Sequence, residues 1–248
     1  MKITFFKNES HFYPYLSYKW ENAEKVKLNQ KIQNFKKYST WVFMLPCLIF
    51  TLLSYRNLNL NYIVLITTII FCLPIHELCH ALFCLISKRK VERICFFPYK
   101  KFLTPPAAYV KPSFGVWNKT QTILFSLFPF LLLSIIPAIL AIFIPSLRTW
   151  LIFLSLLNLS VSHLDIIDIF CFFKIPRNSL NFGDFIITAQ EINQPIIIHR
   201  LLITPKLDKV EHICFQYANN KLTEITPPPE TPNVLQWKQE FIKHFNLI

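Results

Sequence analysis

Apolar residues in this chain cluster into long runs instead of alternating with polar ones. Four runs, near residues 39–54, 61–86, 119–145 and 149–173, approach or exceed the roughly 20 helical residues that cross a hydrocarbon layer of about 30 Å. We therefore predict an α-helical integral membrane protein with four transmembrane helices. The first run is the shortest, and because no small-residue cleavage site follows it, we expect it to be retained as a helix.

The segments outside these runs predict a more mixed structure. Residues 87–118 combine aromatic and β-branched residues with prolines, which favours short strands at the membrane face over a helix. Strand-like runs at 195–204 and 212–226, with a turn at Asn219–Asn220, predict a small mixed α/β tail. The resulting domain organisation is a basic N-terminal segment at 1–38, a membrane core at 39–173 and a C-terminal tail at 174–248.

The basic residues indicate the orientation of the chain. Its net charge is +12, and 24 of its 26 Lys and Arg residues lie in residues 1–38, in residues 87–119 or after residue 173. These segments fall on one side of the predicted bundle, so the positive-inside rule places both termini in the cytoplasm of the cell membrane. Attraction to anionic lipid accounts for the charge, which excludes the need for a nucleic-acid partner. The seven cysteines then face a reducing compartment and are expected to be free thiols.

Three ionisable residues interrupt the second apolar run, in the stretch CLPIHELCHALF. His76 and His80 are four residues apart, so on a helix they lie on one face, where both rings can reach one metal ion. Glu77 follows the first histidine and can take a proton from water at the ion without being a ligand. This HExxH spacing predicts a Zn²⁺ site with Glu77 as the catalytic base.

Catalytic zinc usually has three protein ligands, so a third must come from another helix. In the fourth run, Asn158, Ser162 and Asp165 form one polar stripe, and Asp165 lies at the depth of the histidines, roughly 12–14 Å from the cytoplasmic face. We predict Asp165 as the third ligand, with Asp168 and His163 as alternatives. Asn158 and Ser162 either orient the ligands and position the substrate or only pack the helices.

The motifs HELCHALF and NLSVSHLD resemble those of site-2-protease-like intramembrane zinc metallopeptidases, and more closely those of a zincin peptidase family of small bacterial membrane proteins. That family carries HELxHA in one span and an N-x-S-x-S-x-G-D-like motif in a later one. The resemblance implies that His76, His80 and Asp165 bind zinc and that Glu77 is the base. Before the aspartate, where the family pattern has glycine, this chain has Leu164.

The expected function is hydrolysis of a peptide bond in a membrane-anchored protein or peptide within the lipid bilayer. An unwound substrate segment would pair as an added strand with residues 94–116. Two alternatives remain open, a membrane zinc hydrolase of a non-peptide substrate and a non-catalytic, membrane-embedded zinc-binding partner protein. A structural zinc site usually has four protein ligands and no use for an adjacent glutamate, so Glu77 favours an enzyme.

Overall fold

The computed structural model describes residues 2–5, 15–54, 62–96, 108–183, 185–189, 194–203 and 210–244. The α-helices are α1 (Gln30–Ser54), α2 (Tyr62–Ile86), α3 (Lys119–Phe130), α4 (Ile136–Phe143), α5 (Arg148–Val161), α6 (His163–Phe173) and α7 (Pro232–His244). A π-helical turn at Leu131–Ile135 joins α3 to α4, and a 3-10 turn at Pro145–Leu147 precedes α5.

The described strands form three small sheets. The strands are β1 (Lys2–Phe5), β2 (Tyr15–Glu21), β3 (Ala23–Lys25), β4 (Val91–Phe96), β5 (Ala108–Pro112), β6 (Trp117–Asn118), β7 (Ser179–Asn181), β8 (Ile186–Ala189), β9 (Ile196–Ile203), β10 (Val210–Ala218) and β11 (Lys221–Ile225). Their orders are β1-β4-β5, β11-β10-β9-β2 and β3-β8-β7-β6. The strands expected in 87–118, 195–204 and 212–226 are present where these ranges are described; residues 97–107 lie outside the described part.

The prediction of a four-helix membrane protein is wrong. Within the described residues, two helices are long and apolar enough to cross a membrane, Val64–Ile86 and Lys119–Phe143. The bent pair Pro145–Val161 and His163–Phe173 makes a third only if it counts as one span. The apolar part of α1, Tyr38–Leu53, rises about 24 Å, which is short of a hydrocarbon layer of about 30 Å. The described strands, moreover, form three sheets, whereas strands were expected only in the loop at the membrane face and in the tail.

A sharp bend divides the fourth predicted helix, where the polar stripe had indicated one continuous helix. The axes of α5 and α6 differ by 58°, and Ser162 between them has a ψ of 2°, outside the α-helical range. As a result α5 packs against α1, α2 and α4, whereas α6 packs against α1 and α3. The bend places Asp165 in the first turn of a new helix.

The sheets connect segments that are far apart in the sequence. β1 pairs with β4, β2 pairs with β9 and β3 pairs with β8, so the N-terminal residues share sheets with the central connection and with the tail. The strands β2 and β3 were not predicted. The aromatic residues of β2 and Ala23 of β3 join a core between two sheets that is built from Tyr18, Trp20, Phe114, Phe182, Phe185, Ile187, Ile196 and Ile198. The pairing therefore ties both ends of the described chain to the connection between α2 and α3.

Candidate metal centre

Two histidines and a glutamate lie on one buried stretch of α2. His76, Glu77 and His80 are 3%, 8% and 4% exposed. Because the histidines are one helical turn apart, their ring centroids are 5.0 Å apart, with ring planes at 79° to each other. The helix thus presents two imidazoles side by side in the part of the protein where α2 packs against α3 and α5.

The structure brings Asp165 to these histidines. Its Oδ2 atom is 3.0 Å from His76 Nε2 and 3.4 Å from His80 Nε2, and the three ligand atoms all lie within 4.8 Å of one another. Two ligand atoms about 2.1 Å from one tetrahedral ion stand about 3.4 Å apart, so these separations suit a single ion. The Asp165 side chain is partly exposed, which places the open side of the group at the aspartate.

The hydrogen-bond partner of His80 determines which ring nitrogen carries the proton. His80 Nδ1 lies 3.0 Å from the backbone carbonyl oxygen of Phe125, which can only accept a hydrogen bond. In the neutral ring the proton is therefore on Nδ1. His80 Nε2 consequently presents a lone pair toward Asp165.

The same conclusion follows for His76 from the amide group of Asn158. Asn158 Nδ2 lies 3.3 Å from the carbonyl oxygen of Pro129 and 2.9 Å from Ser134 Oγ. Because the carbonyl can only accept, the NH₂ group must face it, and the Asn158 Oδ1 atom must face His76 Nδ1, 3.1 Å away. The ring proton is thus on Nδ1, and His76 Nε2 also turns a lone pair toward Asp165.

Three electron-pair donors therefore converge on one point. They are two imidazole nitrogens and one carboxylate oxygen, which repel one another in a buried site unless a cation lies among them. Each imidazole is held by an acceptor at its other nitrogen, which is the arrangement that orients metal-binding histidines. Imidazole and carboxylate are ligands that suit divalent zinc. The donor set and its protonation thus fit a bound metal ion.

The two alternative third ligands have other partners. Lys36 forms an ion pair with Asp168. His163 Nε2 is 3.0 Å from Thr40 Oγ1, and His163 Nδ1 is 2.7 Å from the carbonyl oxygen of Ser160. Both residues thereby join α6 to neighbouring parts of α1 and α5. Among the described residues, neither belongs to the group of metal-ligating atoms that His76, His80 and Asp165 form.

The polar residues around the cluster divide into two groups. Asn158 is fully buried, and its Nδ2 atom also donates to Ser162 Oγ at 3.2 Å, so both residues belong to the network behind His76. Ser160 instead donates to the carbonyl oxygen of Phe43 at 2.8 Å and joins α5 to α1. Ser134, which completes the network, was missed from the sequence. Its signal was a serine in an apolar run, in the π-helical turn that follows Pro129.

Glu77 lies between the cluster and an outer strand. Its carboxylate accepts a hydrogen bond from the backbone N–H of Val110 in β5. In the described part of its sheet, β5 is the last strand, paired only with β4. Glu77 therefore links the two imidazoles of α2 to the outer strand of the described sheet.

A cavity of about 400 Å³ reaches the cluster. Its wall includes Asp165 and Asp168 of α6, Val110 of β5, Arg89 at the end of α2 and Arg200 of β9. A cavity of this size is in the range of sites that hold small ligands or a short peptide segment. The cavity gives access to the cluster from the side of the sheets.

Residues 69–180 match the model of a family described as “Putative zincin peptidase”. The matched region is slightly less than half of the chain, and it contains His76, Glu77, His80 and Asp165. The match supports a metallopeptidase in general, and the zincin description implies zinc as its metal. The chain matches no curated protein and no solved structure.

Proposed function

We propose that this protein is an intramembrane zinc metallopeptidase that hydrolyses a peptide bond in a membrane-anchored protein or peptide. In this proposal His76, His80 and Asp165 hold the zinc ion. Glu77 is the general base. The observation that carries the proposal is the convergence of two imidazole lone pairs and a carboxylate oxygen beside a buried glutamate. Three ligands with a cavity on one side are typical of a catalytic site, whereas structural zinc usually has four protein ligands.

The residues of the chain divide the chemistry among them. A zinc ion held by this cluster would act as a Lewis acid that activates water and polarises the scissile carbonyl. Glu77 takes a proton from the attacking water and later delivers it to the leaving amine. The N–H of Val110 holds the Glu77 carboxylate in place. Asn158 and the Phe125 carbonyl oxygen fix the two imidazole rings, so no reorientation is needed during the reaction.

The surface of α2 supports a location within the lipid bilayer. Ile66, Ile69, Ile70 and Phe71 are each at least half exposed, although the same helix carries the buried histidines. A contiguous apolar surface of this kind is unfavourable in water and faces hydrocarbon in a membrane. The two candidate spans, or three with the bent pair, support a zinc site within the hydrocarbon layer.

Strand pairing supports a topology in which both ends of the chain are on the same side of the membrane. β1 pairs with β4 and β2 pairs with β9. Strands cannot pair across a bilayer, so the N-terminal residues, the connection after α2 and the tail share one side, and α1 and α2 together enter and leave the membrane there. The concentration of Lys and Arg in these segments makes this side the cytoplasm. A reporter fused to either terminus is expected to be accessible only from the cytoplasm; access from outside would reject this orientation.

The outer edge of β5 is the proposed docking site for an unwound substrate segment. A segment that pairs along this edge would pass Glu77, because Val110 of β5 already contacts the glutamate. Val110→Pro places a proline ring on this edge, which blocks the approach of a paired strand, and is expected to abolish binding of a peptide that covers the cleavage region. Val110→Ala keeps the N–H and is the matched control. Unchanged binding by Val110→Pro would reject the docking edge and leave the metal site unaffected.

The first experiment is to measure zinc per chain in detergent-purified protein and its variants. His80→Ala and Asp165→Ala are each expected to lose one zinc per chain relative to wild type, because each removes a ligand. Glu77→Gln is expected to keep the zinc and lose cleavage of a panel of single-span membrane peptides. A zinc content equal to that of wild type in both ligand variants would reject the proposed site. Cleavage retained in Glu77→Gln would reject the role of Glu77 as the general base.

A further inference from the structure

A second cluster of metal-ligating side chains lies in the sheet β11-β10-β9-β2, outside the matched region. His199 and Cys214 face each other on β9 and β10, and His212 precedes Cys214 by two residues on the same face. His199 Nδ1 lies 3.2 Å from His212 Nε2 and 3.2 Å from Cys214 Sγ. His212 Nε2 lies 3.4 Å from Cys214 Sγ. The three ligand atoms thus form an almost equilateral triangle.

These side chains are withdrawn from solvent. His199 is 1% exposed, Cys214 is fully buried and the His212 side chain is 8% exposed. A buried imidazole or thiol needs a partner for each of its polar atoms, because none can be supplied by bulk water. Each polar atom of the triangle therefore needs a partner within the protein.

Carboxylates at the far side of each ring determine the proton positions. His212 Nδ1 lies at hydrogen-bond distance, 3.2 Å, from Glu230 Oε1. His199 Nε2 lies 3.5 Å from Glu21 Oε1, which is an ion-pair distance without a hydrogen bond. A carboxylate beside a ring nitrogen favours a proton on that nitrogen. The other nitrogens, His199 Nδ1 and His212 Nε2, then direct lone pairs at each other, and the one thiol proton of Cys214 can satisfy only one of them.

We propose that His199, His212 and Cys214 form a second metal site, which takes Zn²⁺ or a divalent ion with the same preference for nitrogen and sulfur. Ligand atoms on one tetrahedral zinc stand about 3.4 Å apart for two nitrogens and about 3.6 Å apart for nitrogen and sulfur, close to the observed triangle. The carboxylates behind both histidines provide the support that orients metal-binding imidazoles. This site is independent of the proposed peptidase function.

The position of the site indicates what the ion does. Glu230, which holds His212, also accepts from Lys238 Nζ of α7 at 2.8 Å. Trp237 Nε1 of α7 donates to Ser17 Oγ of β2 at 3.0 Å, on the sheet face that carries His199. An ion bound by both β9 and β10 would therefore stabilise this sheet and the packing of α7 on it. Its expected role is to stabilise the fold of the tail, although with three protein ligands it would differ from most structural zinc ions in leaving a fourth position open.

Cobalt binding separates the second site from the first. A thiolate bound to Co²⁺ gives an intense charge-transfer absorption in the near ultraviolet, and the cluster on α2 contains no cysteine ligand. Metal-free full-length protein titrated with Co²⁺ is expected to show this band. The band should persist in His80→Ala, which alters only the first site, and disappear in Cys214→Ser. Cys95→Ser, which replaces a buried cysteine of β4, is the matched control and should keep the band.

A second measurement does not depend on the folding of any variant. In wild-type protein, Zn²⁺ is expected to slow alkylation of Cys214, mapped by mass spectrometry, at least tenfold more than alkylation of Cys95. Absence of the charge-transfer band in wild type, or equal alkylation of Cys214 with and without Zn²⁺, would overturn the proposal. The imidazole rings of His199 and His212 would then share a proton with each other, with one carboxylate beside each ring. Loss of the site formed by His76, His80 and Asp165 alone would change neither the charge-transfer band nor the alkylation of Cys214.

Discussion

Replacement of Asn158 by leucine tests whether the buried network behind His76 holds the metal ligand. Leucine has a similar volume and no hydrogen-bonding group, so Asn158→Leu removes the partner shared by His76 Nδ1 and the carbonyl oxygen of Pro129. This leaves His76 Nδ1 only the 3.5 Å contact with Ser162 Oγ. The hydroxyl oxygens of Ser134 and Ser162 each lose a donor, but both groups can still donate their own proton. The substitution therefore acts on the orientation of one imidazole ring and on one buried carbonyl.

The structure allows the size of both effects to be worked out. Each buried polar group left without a partner costs about 1–3 kcal/mol, so the free energy of unfolding is expected to fall by about 2–6 kcal/mol. Loss of the group that orients a metal-binding histidine typically weakens metal affinity by about 10- to 100-fold. Because the ring of His76 is then free to turn away from Asp165, we expect zinc affinity to fall by that factor.

Competition with a chromophoric chelator measures the zinc affinity, and thermal unfolding of the metal-free protein in detergent measures the stability. Ser160→Ala is the matched control. Ser160 lies on the same helix, but its hydroxyl group donates to the carbonyl oxygens of Phe43 and Leu156. The control should retain the wild-type affinity. If Asn158→Leu folds and binds zinc within twofold of wild type, the network does not orient His76 and the reasoning is refuted.

Glu77→Gln is expected to slow cleavage by about 10²- to 10⁴-fold with unchanged zinc content, because the residue transfers protons and does not hold the ion; rate and metal analysis on one preparation check this. Asp168→Asn is expected to retain zinc, since Asp168 pairs with Lys36, whereas Asp165→Asn should lose one zinc per chain in the same analysis. Asn220→Val is expected to reduce the free energy of unfolding by about 1–2 kcal/mol, because residue 220 has a φ of 59°, and thermal unfolding beside Asn220→Gly as the control measures it.

Each of these outcomes has a clear opposite. Loss of zinc in Glu77→Gln would make the glutamate a ligand instead of a base. Zinc lost in Asp168→Asn but kept in Asp165→Asn would exchange the roles of the two aspartates. Equal stability of Asn220→Val and Asn220→Gly would show that the turn after β10 tolerates a branched side chain, and the positive φ would then not account for the asparagine.

Local patterns were sufficient wherever the relevant contacts are close in the sequence. The spacing of His76 and His80 predicted two imidazoles on one face, and the rings are side by side because a helical turn brings positions i and i+4 together. The turn at Asn219–Asn220 was predicted from residue type, and both residues have positive φ. The depth of Asp165 along its run indicated that it could meet the histidines, which it does in the structure.

Membrane crossing was overestimated because composition alone does not report where a helix breaks or how long its apolar part is. The fourth run bends by 58° at Ser162, a residue that does not by itself predict a break. The apolar part of α1 is shorter than the thickness of the hydrocarbon layer although the whole helix is long. Helix ends and bends depend on packing against other helices, which a hydropathy pattern does not contain.

Long-range pairing was decided by the tertiary structure. Nothing near Tyr15–Glu21 in the sequence indicates that this segment pairs with β9, some 180 residues later. The second cluster arises in the same way, since His199 and Cys214 meet only through the register of two antiparallel strands. The amide of Asn158 likewise acquires its orientation from Pro129 on another helix. The sequence alone determined that the two histidines and the adjacent glutamate lie together, because one helical turn suffices to bring them there. The approach of Asp165 and the second cluster depend on chain segments that only folding brings within a few ångströms of one another.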